Sequence, residues 1–355
     1  MRLLPMTHRE GASGTAPRWR LLPRWLGGAR GARPPDDGAD PLLVGLTGSG
    51  ARRADALFKG ITLLFAGLVI FLVFGIVGSL LYQSQEAWAT LGIGALFGDE
   101  WLPGGQPAKF GSLPLVWGTL VTSFIAILIG VPVSIGIAIF LSEMAPPWIR
   151  GPVSVIVELL AAIPSVVYGL WGIFFLAPFL YDSVYPRLQA NWGWTGLFTG
   201  QSTGYSVLTA GILLAIMIIP TVSAISREVF RAVPASQREA AFAIGATKWE
   251  VVRKAVIPYG RTGLFGAAIL GLARAVGETM AVTMVIGNRN AFFGGLLEPG
   301  NTIPSVLANE TYEASGVHLS ALFALGVILF IVALLINIAA RILVKRVLKQ
   351  AEVAK

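Results

Sequence analysis

Residues 115–141 of this chain read LVWGTLVTSFIAILIGVPVSIGIAIFL, an apolar run without a single charged side chain. A helix needs about 20 such residues to cross the hydrocarbon core of a bilayer. The composition of the 355-residue chain agrees with a membrane protein, because 55% of its residues are hydrophobic and only 13% are charged. Soluble domains carry roughly 25% charged residues. The run therefore predicts a membrane-spanning helix, and the composition excludes an ordinary cytosolic enzyme.

Five further runs have a comparable length and apolar character. One contains Glu158 near its start, where the carboxylate is expected to reach the interface or to pair with a basic residue of a neighbouring helix. The six predicted spans are 61–82, 115–141, 153–180, 205–226, 263–287 and 320–340. The sequence thus predicts an all-α integral membrane protein whose six-span transmembrane domain occupies residues 58–345.

The distribution of Lys and Arg predicts the orientation of the spans, because cytoplasmic loops carry an excess of these residues. With the N-terminus inside, all but four of the 27 Lys and Arg residues fall before span one, between spans two and three, between spans four and five, or after span six. The four exceptions are Lys109, Arg187, Arg274 and Arg289. Both termini are therefore predicted to be cytoplasmic.

The two ends of the chain are polar. Segment 1–57 is rich in Arg, Gly and Pro, and 346–355 is a short cytoplasmic tail. We interpret segment 1–57 as disordered, and as either a solvated tail or a surface anchor whose Arg and Trp side chains meet anionic headgroups. It contains no uninterrupted apolar run long enough for the core of a signal peptide, so span one is expected to be an uncleaved anchor.

Several kinds of chemistry lack the residues they need. The chain has no Cys, and its two histidines are His8 and His318, which disfavours thiol and clustered metal chemistry. It also lacks a Gly-rich loop ending in Gly-Lys-Ser or Gly-Lys-Thr, the phosphate cradle of ATP-hydrolysing domains. The remaining classes are a permease driven by a partner or by an ion gradient, and a channel or structural membrane subunit.

The segment 227–261 between spans four and five is too polar for a span and long for a plain connector. Ser236-Gln237-Arg238-Glu239 and Thr247-Lys248-Trp249-Glu250 each match the capping box that begins a helix. Gly245 falls between them as a C-cap glycine, and Pro258 is expected to end the second helix. The segment therefore predicts two short helices that either dock on another protein or lie on the bilayer.

A family resemblance favours docking. Glu239-Ala240-Ala241, followed by Gly245 and then by Pro258, resembles the EAA loop of permease subunits in bacterial ABC importers. In that family the loop inserts into a cleft on the ATPase subunit, so the resemblance implies an ATPase partner and makes 236–258 the coupling loop. The resemblance extends from about residue 61 to the C-terminus and implies the MetI-like permease fold.

Span five contains two charged residues, Arg274 and Glu278, four positions apart. This spacing places them on one helix face and predicts that they pair. Intramembrane charges almost always face a protein interior or a water-filled path, and the surrounding Gly and Ala residues allow close helix packing. Span five is therefore predicted to be a central helix. Arg274 either binds an anionic substrate while Glu278 orients it, or the two form a structural ion pair.

A second resemblance concerns the same span. The run RAVGETMAVT at 274–283 looks like the signature of permease subunits of the phosphate-specific ABC importer, and its continuation at 286–288 is closer to the PstC type than to the PstA type. The run AIPSVVYGLWG at 162–172 is also typical of these permeases. Pro164 is expected to interrupt that helix, so that Ser165 and Tyr168 either line the substrate pathway or pack in a kinked helix.

The resemblance implies a permease subunit that imports inorganic phosphate across the bacterial inner membrane. Its implied partners are a homologous PstA-type permease, two ATPase subunits, an extracytoplasmic phosphate-binding protein and the lipid bilayer. Neither a cofactor nor a nucleic acid is expected on this chain, and ATP and Mg are expected on the ATPase subunits. The alternatives are an importer of another oxyanion, such as sulfate or molybdate, and an ion-gradient carrier or channel.

Overall fold

A computed structural model of the protein describes residues 49–200 and 203–353. Residues 1–48, which make up most of the predicted segment 1–57, lie outside the described residues, as do residues 354–355 of the predicted tail. Most of the described chain is helical. The elements in chain order are α1 (Ser49–Gln83), α2 (Gln85–Leu96), β1 (Trp101–Leu102), β2 (Lys109–Phe110), α3 (Leu113–Met144), α4 (Pro147–Ala162), α5 (Ser165–Thr195), α6 (Val207–Arg231), α7 (Ala235–Ala243), α8 (Lys248–Val276), α9 (Met280–Val285), α10 (Ile303–Glu310) and α11 (Gly316–Val353).

Six of the described helices are long and apolar enough to cross a membrane, namely α1, α3, α5, α6, α8 and α11. The predicted all-α fold with six spans is therefore confirmed. Within these helices, single π-helical turns widen the backbone locally, a feature that often accompanies functional sites. The described π-helical turns are Phe140–Met144, Gly172–Leu176, Leu180–Val184 and Val252–Val256.

The third span differs from its predicted limits of 153–180. The chain leaves the helical conformation at Ile163 and Pro164, where ψ is 128° and 142°. Proline lacks the N–H that a continuous helix needs and disfavours a helical residue before it. The break makes α4 a separate helix and α5 the spanning one. Glu158 lies on α4, where its carboxylate binds Arg227 Nη2 of α6 at 2.8 Å, the kind of partner that the sequence predicts.

The fifth span also differs from prediction, since α8 both begins and ends earlier than the run 263–287. Pro258 does not end this helix, so that expectation is wrong. The π-helical turn Val252–Val256 precedes the proline, and the Ile257 N–H bonds to the carbonyl of Val252, five residues back. This wider turn shifts the hydrogen-bond register just before the residue that has no N–H, and the chain continues as a helix.

Helix α6 is the most buried of the described spanning helices, with 67% of its most apolar window inside the structure. It packs against α3, α5 and α8. Helix α8, which carries the predicted span five, contacts α3, α6 and α11. Small residues on α8, including Ala267 and Gly271, let it lie close against α6, where Gly271 faces Val222. Close contact of this kind, rather than water exclusion, stabilises helix pairs in lipid.

The chain divides into two units, Met1–Ile70 and Phe71–Lys355. In the first unit, the described residues belong to the beginning of α1. The most apolar window of α1 contains no buried residue. The packing that concerns function lies within the second unit.

At one end of the second unit, α2, the hairpin β1–β2, α10 and the start of α11 surround Trp101. Its indole Nε1 donates to Glu310 Oε2 at 2.9 Å, and the same carboxylate oxygen lies 2.9 Å from His318 Nε2. The N–H of Ile303 in α10 donates to Thr119 Oγ1 at 3.1 Å, which fixes this cluster beside the beginning of α3.

At the other end of α3, Glu143 contacts Arg238 of α7 at 2.8 Å. The 24 residues of α3 between Thr119 and Glu143 correspond to about 36 Å of helix at 1.5 Å per residue. The Trp101 cluster and α7 therefore lie at opposite ends of the spanning bundle.

We expect Gly118→Ala to lower the free energy of unfolding by about 1–3 kcal/mol, the usual cost of overpacking. The reason is that a Cβ at Gly118 would overlap the carbonyl oxygen of Asn301. Gly136→Ala in the same helix is the matched control, since no atom lies within 4 Å of the position of its Cβ. Thermal unfolding of the purified variants in detergent checks this prediction, and equal melting temperatures for both would contradict it.

Candidate functional site

Two interruptions of spanning helices lie side by side. One separates α4 from α5 at 163–164, and the other separates α8 from α9 at 277–279. Gly169 of α5 shows that they meet, because a side chain there would overlap Met284 and approach Ala281 Cα to 3.2 Å, both on α9. Interrupted helices leave backbone groups that need partners, and in membranes they occur where they are buried in protein or line a cavity.

Tyr168 bridges the first interruption. Its side chain is 8% exposed, and its hydroxyl donates to the carbonyl of Leu160, in the last turn of α4, at 2.8 Å. Ser165, the first residue of α5, is half-buried. The structure therefore places both residues beside the interruption and gives Tyr168 a bridging hydrogen bond. Their place in a substrate pathway stays a prediction.

Arg274 lies in the last turn of α8, beside the second interruption. Its Nη1 donates to Thr221 Oγ1 at 2.9 Å. Thr221 directly follows Pro220 near the middle of α6. A cation at a helix C-terminus is favoured by the helix dipole. The half-buried guanidinium of α8 is thus held by a side chain of α6.

Glu278 does not pair with Arg274, contrary to the prediction from their spacing. Among the described residues, no ion pair within 4 Å joins the two. Glu278 Oε1 instead accepts a hydrogen bond at 3.2 Å from the N–H of Ala281 in the first turn of α9. The four-residue spacing aligns two side chains only within a continuous helix, and α8 ends at Val276.

The electrostatic result is a guanidinium whose described hydrogen-bond partner is the neutral Thr221 hydroxyl. A cation within a membrane is costly, and such residues almost always face a protein interior or a water-filled cavity. Arg has five N–H donors in a planar fork, which matches pairs of oxygen atoms on carboxylates and phosphates. The site is therefore suited to an anion.

The coupling loop forms a second candidate site at the far end of α6. Helix α7 starts directly after Pro234, and Ser236 lies inside it without a capping bond, so the predicted first capping box is wrong. Proline fixes φ near the value that a helix start requires, which moves the start one residue ahead of Ser236. Glu239 consequently has no capping role and is exposed.

The rest of the loop follows the prediction. Gly245 has φ +82°, the left-handed conformation of a C-cap glycine. Thr247 and Glu250 form the predicted capping box, with the Thr247 N–H donating to Glu250 Oε2 at 2.9 Å. Two short helical segments, α7 and the start of α8, are therefore joined at Gly245.

The loop presents an exposed apolar surface. Phe242, Ile244, Trp249 and Tyr259 are 48%, 86%, 54% and 55% exposed. Between α7 and the start of α8 lies a hollow of about 350 Å³, lined in part by Ala240, Ala241 and Pro258. Exposed apolar patches of this kind mark interaction sites.

Comparison with known proteins identifies the family. The model of the family described as "Binding-protein-dependent transport system inner membrane component" matches residues 130–349. The chain belongs to this family. The matched region contains the Arg274 cluster and the coupling loop. With its six apolar spanning helices, this family member is a multi-pass membrane protein.

Curated relatives confirm the resemblance to the PstC type. The chain is 43% identical over 300 residues to "Phosphate transport system permease protein PstC" of Pasteurella multocida (strain Pm70), covering 83% of this chain and 93% of the relative. It is 46% identical over 298 residues to the protein of the same name from Mesorhizobium japonicum (strain LMG 29417 / CECT 9101 / MAFF 303099), covering 82% and 90%.

The fold also matches a solved structure. A crystal structure of a bacterial ABC transporter involved in the import of the acidic polysaccharide alginate aligns with a TM-score of 0.57 and 18% identity, covering 86% of this chain and 99% of that chain. The predicted ABC-importer permease fold is therefore confirmed for this family member.

Three residues of these sites have contacts that sequence reasoning missed. For Thr221 the sequence offers only a weak indication of a polar contact, because its hydroxyl follows Pro220 within an apolar run. Glu143 and Arg238 had none, because they are 95 positions apart. Local patterns report neighbours along a helix and cannot report such a contact.

We expect Tyr168→Phe to loosen the α4–α5 interruption, because it removes the hydrogen bond to the Leu160 carbonyl. A bond of this kind contributes about 0.5–1.5 kcal/mol, which corresponds to roughly 2- to 12-fold faster amide exchange around residue 163. Hydrogen exchange followed by mass spectrometry measures this. Tyr181→Phe in the same helix is the control, since Tyr181 is 49% exposed. Equal exchange in both variants would contradict the bridging role.

Proposed function

We propose that this chain is the membrane permease subunit of an ATP-driven importer of inorganic phosphate and forms half of the translocation pathway. The observation that carries the proposal is the match to relatives named phosphate transport system permease proteins, at 43% and 46% identity over at least 90% of their length. The anion-binding character of the Arg274 site agrees with this substrate.

In the proposed pathway, Arg274 binds the phosphate oxyanion. The bond to Thr221 uses one N–H of the guanidinium, so the other donors are free of described protein partners. Glu278 keeps the start of α9 in place and leaves the positive charge uncompensated. Ser165 and Tyr168, beside the neighbouring interruption, line the same pathway.

The coupling loop is the proposed docking site for an ATPase subunit. Its exposed apolar side chains and the hollow beside Ala240 and Ala241 are suited to receive a partner surface. We propose that Glu239, Ala240, Ala241, Gly245 and Pro258 form this contact, and that ATP and Mg are bound by two separate ATPase subunits. In this proposal the chain itself is non-catalytic and holds no cofactor.

The remaining partners are a homologous PstA-type permease, which supplies the other half of the pathway, and an extracytoplasmic phosphate-binding protein. We place the chain in the bacterial inner membrane with both termini in the cytoplasm. The excess of Lys and Arg in the segments on one side of the spans supports this orientation. The Trp101 cluster then lies on the extracytoplasmic side, and α7 lies on the cytoplasmic side.

An importer of sulfate or molybdate is a second candidate within the same architecture, because a guanidinium binds any tetrahedral oxyanion. An ion-gradient carrier or channel is the candidate from another class. Competition by excess sulfate during labelled phosphate uptake distinguishes a phosphate importer from a sulfate importer. Uptake that requires ATP and the ATPase subunits excludes the ion-gradient carrier or channel.

We expect Arg274→Gln to lower phosphate uptake by about tenfold or more while the transporter still assembles. Hydrogen bonds to charged groups contribute about 1.5–3 kcal/mol, and 1.4 kcal/mol corresponds to a factor of ten. Arg274→Lys keeps the charge without the planar fork, and its phosphate uptake is expected to lie between those of the original chain and Arg274→Gln. Uptake of labelled phosphate by cells that carry each variant, normalised to assembled transporter, measures the effect.

The matched control is Arg341→Gln, since Arg341 is an exposed arginine in the last third of α11. It is expected to leave uptake within about twofold of the original chain, as is usual for surface substitutions. Uptake at the original level in assembled Arg274→Gln transporter would remove Arg274 from the pathway.

We expect Glu239→Lys to leave the chain in the membrane at its normal level and to reduce the amount of ATPase subunit that co-purifies with it. Glu239 is exposed on α7, so a reversed charge there affects the partner contact more than the fold. The control is Glu313→Lys, which reverses an exposed glutamate beside the Trp101 cluster at the opposite end. Normal co-purification of the ATPase with Glu239→Lys would contradict the assignment.

A further inference from the structure

Helix α7, which carries the proposed ATPase contact, contains no buried residue. With nine residues it is also too short to be stable by helix propensity alone, since isolated helices below about 12 residues are marginal. Any force that a docked partner exerts on α7 must therefore reach the spanning helices through a few specific contacts.

The guanidinium of Arg238 provides most of the described polar contacts between α7 and the spanning helices. Arg238 Nε and Nη2 donate to the two carboxylate oxygens of Glu143 at 3.2 and 2.8 Å. Its Nη1 donates to the carbonyl of Val233 at 2.5 Å, and Nη2 also donates to the carbonyl of Phe230 at 2.7 Å. The side chains of Arg238 and Glu143 are only 23% and 12% exposed.

These partners belong to different elements. Glu143 lies in the π-helical turn that ends α3, Phe230 lies in the last turn of α6, and Val233 follows α6. Arg238 thus connects α7 to the ends of two packed spanning helices. The bidentate contact fixes both distance and orientation, which a Lys ammonium does not do.

Helix α6 extends from this junction to the anion site. Thr221, which accepts the hydrogen bond from Arg274, lies nine residues before Phe230. That separation corresponds to about 14 Å along the helix. A displacement of α7 can therefore move the end of α6 and, through that helix, the support of Arg274.

We propose that Arg238 is the positioning residue that transmits movement of the docked ATPase from α7 to α3 and α6. The proposal rests on the proposed function, since it requires an ATPase that docks on the loop. It predicts that loss of the guanidinium separates ATP hydrolysis from movement at the pathway, whereas a purely structural role would reduce assembly, hydrolysis and movement together.

The test uses the complete transporter in proteoliposomes. The chain contains no Cys, so Met280→Cys gives it a single thiol beside the Arg274 site at a side chain that is 51% exposed. In this background we compare the original Arg238 with Arg238→Gln, Arg238→Lys, Glu143→Gln and the double variant Arg238→Gln/Glu143→Gln. The quantities measured are co-purified ATPase, ATP hydrolysis and the alkylation rate of the thiol with and without ATP and Mg.

With Arg238 intact, we expect ATP to change the alkylation rate severalfold. In Arg238→Gln we expect assembly and hydrolysis within about twofold of the original, and less than a third of the ATP-dependent change. Glu143→Gln is expected to reduce the ATP-dependent change as well, and Arg238→Lys is expected to give an intermediate change. The double variant is expected to lose no more of the change than Arg238→Gln does, because the two residues form one contact. The control is Arg231→Gln, which removes an exposed pair with Glu228 at the end of α6 and should leave the change intact.

An ATP-dependent change in alkylation rate as large in Arg238→Gln as in the original chain would overturn the proposal. The proposal would also be overturned if ATP hydrolysis and the ATP-dependent change fell only in proportion to the loss of assembled transporter. Uptake of labelled phosphate by the original chain is measured in the same vesicles. An ATP-dependent change without phosphate uptake would overturn the proposed substrate and leave the role of Arg238 standing. Absence of any ATP-dependent change with Arg238 intact would overturn the role of Arg238, and absence of phosphate uptake in the same vesicles would overturn the proposed function as well.

Discussion

Backbone N–H and C=O groups in a bilayer have no water to bind, so a helix that breaks there must find partners within the protein. In this chain two breaks between helices lie next to each other, one before the spanning helix α5 and one after the spanning helix α8. The Tyr168 hydroxyl binds the Leu160 carbonyl at one break, and the Glu278 carboxylate binds the Ala281 N–H at the other. Because the Glu278 carboxylate binds this backbone N–H, no ion pair within 4 Å joins it to Arg274 among the described residues. The proposed anion site rests on this unpaired guanidinium.

Helix α6 connects the two functional parts of the molecule. It is the most buried spanning helix of the described chain, it holds Arg274 through Thr221, and it ends at the carbonyl groups that bind Arg238. A well-packed helix is a suitable element for mechanical coupling, because packed interiors transmit strain rather than absorb it. The same helix therefore contacts Arg274 at its middle and Arg238 at its end, which are the two sites of the proposed function.

The sequence predicted the features that depend on local patterns. Apolar runs gave the six spans, Pro164 gave the break in span three, and Gly245 with the Thr247 capping box gave the joint of the coupling loop. Predictions failed where a neighbouring residue changed the local geometry. Pro234 moved the start of α7 ahead of Ser236, and a π-helical turn carried α8 past Pro258.

The remaining errors concern contacts between distant residues. The spacing of Arg274 and Glu278 predicts a pair only if the helix continues, and α8 ends at Val276 with Gly277 as its C-cap residue. A glycine is a common end signal, but in this span it is one of several small residues that also favour close helix packing. The contacts Arg274–Thr221 and Arg238–Glu143 span 53 and 95 positions, beyond the reach of any helical periodicity. Family resemblance supplied the proposed role of the coupling loop, and the three-dimensional arrangement supplied the contact between Arg238 and Glu143 that holds it.

The central claim is that this chain forms an ATP-driven phosphate pathway with its partners. The most direct measurement is the uptake of labelled phosphate into proteoliposomes that contain this chain, the second permease and the ATPase subunits, with the phosphate-binding protein on the side opposite to ATP and Mg. The account predicts uptake that requires ATP, requires this chain and persists in excess sulfate. Uptake that proceeds without ATP, or that sulfate abolishes, would contradict it.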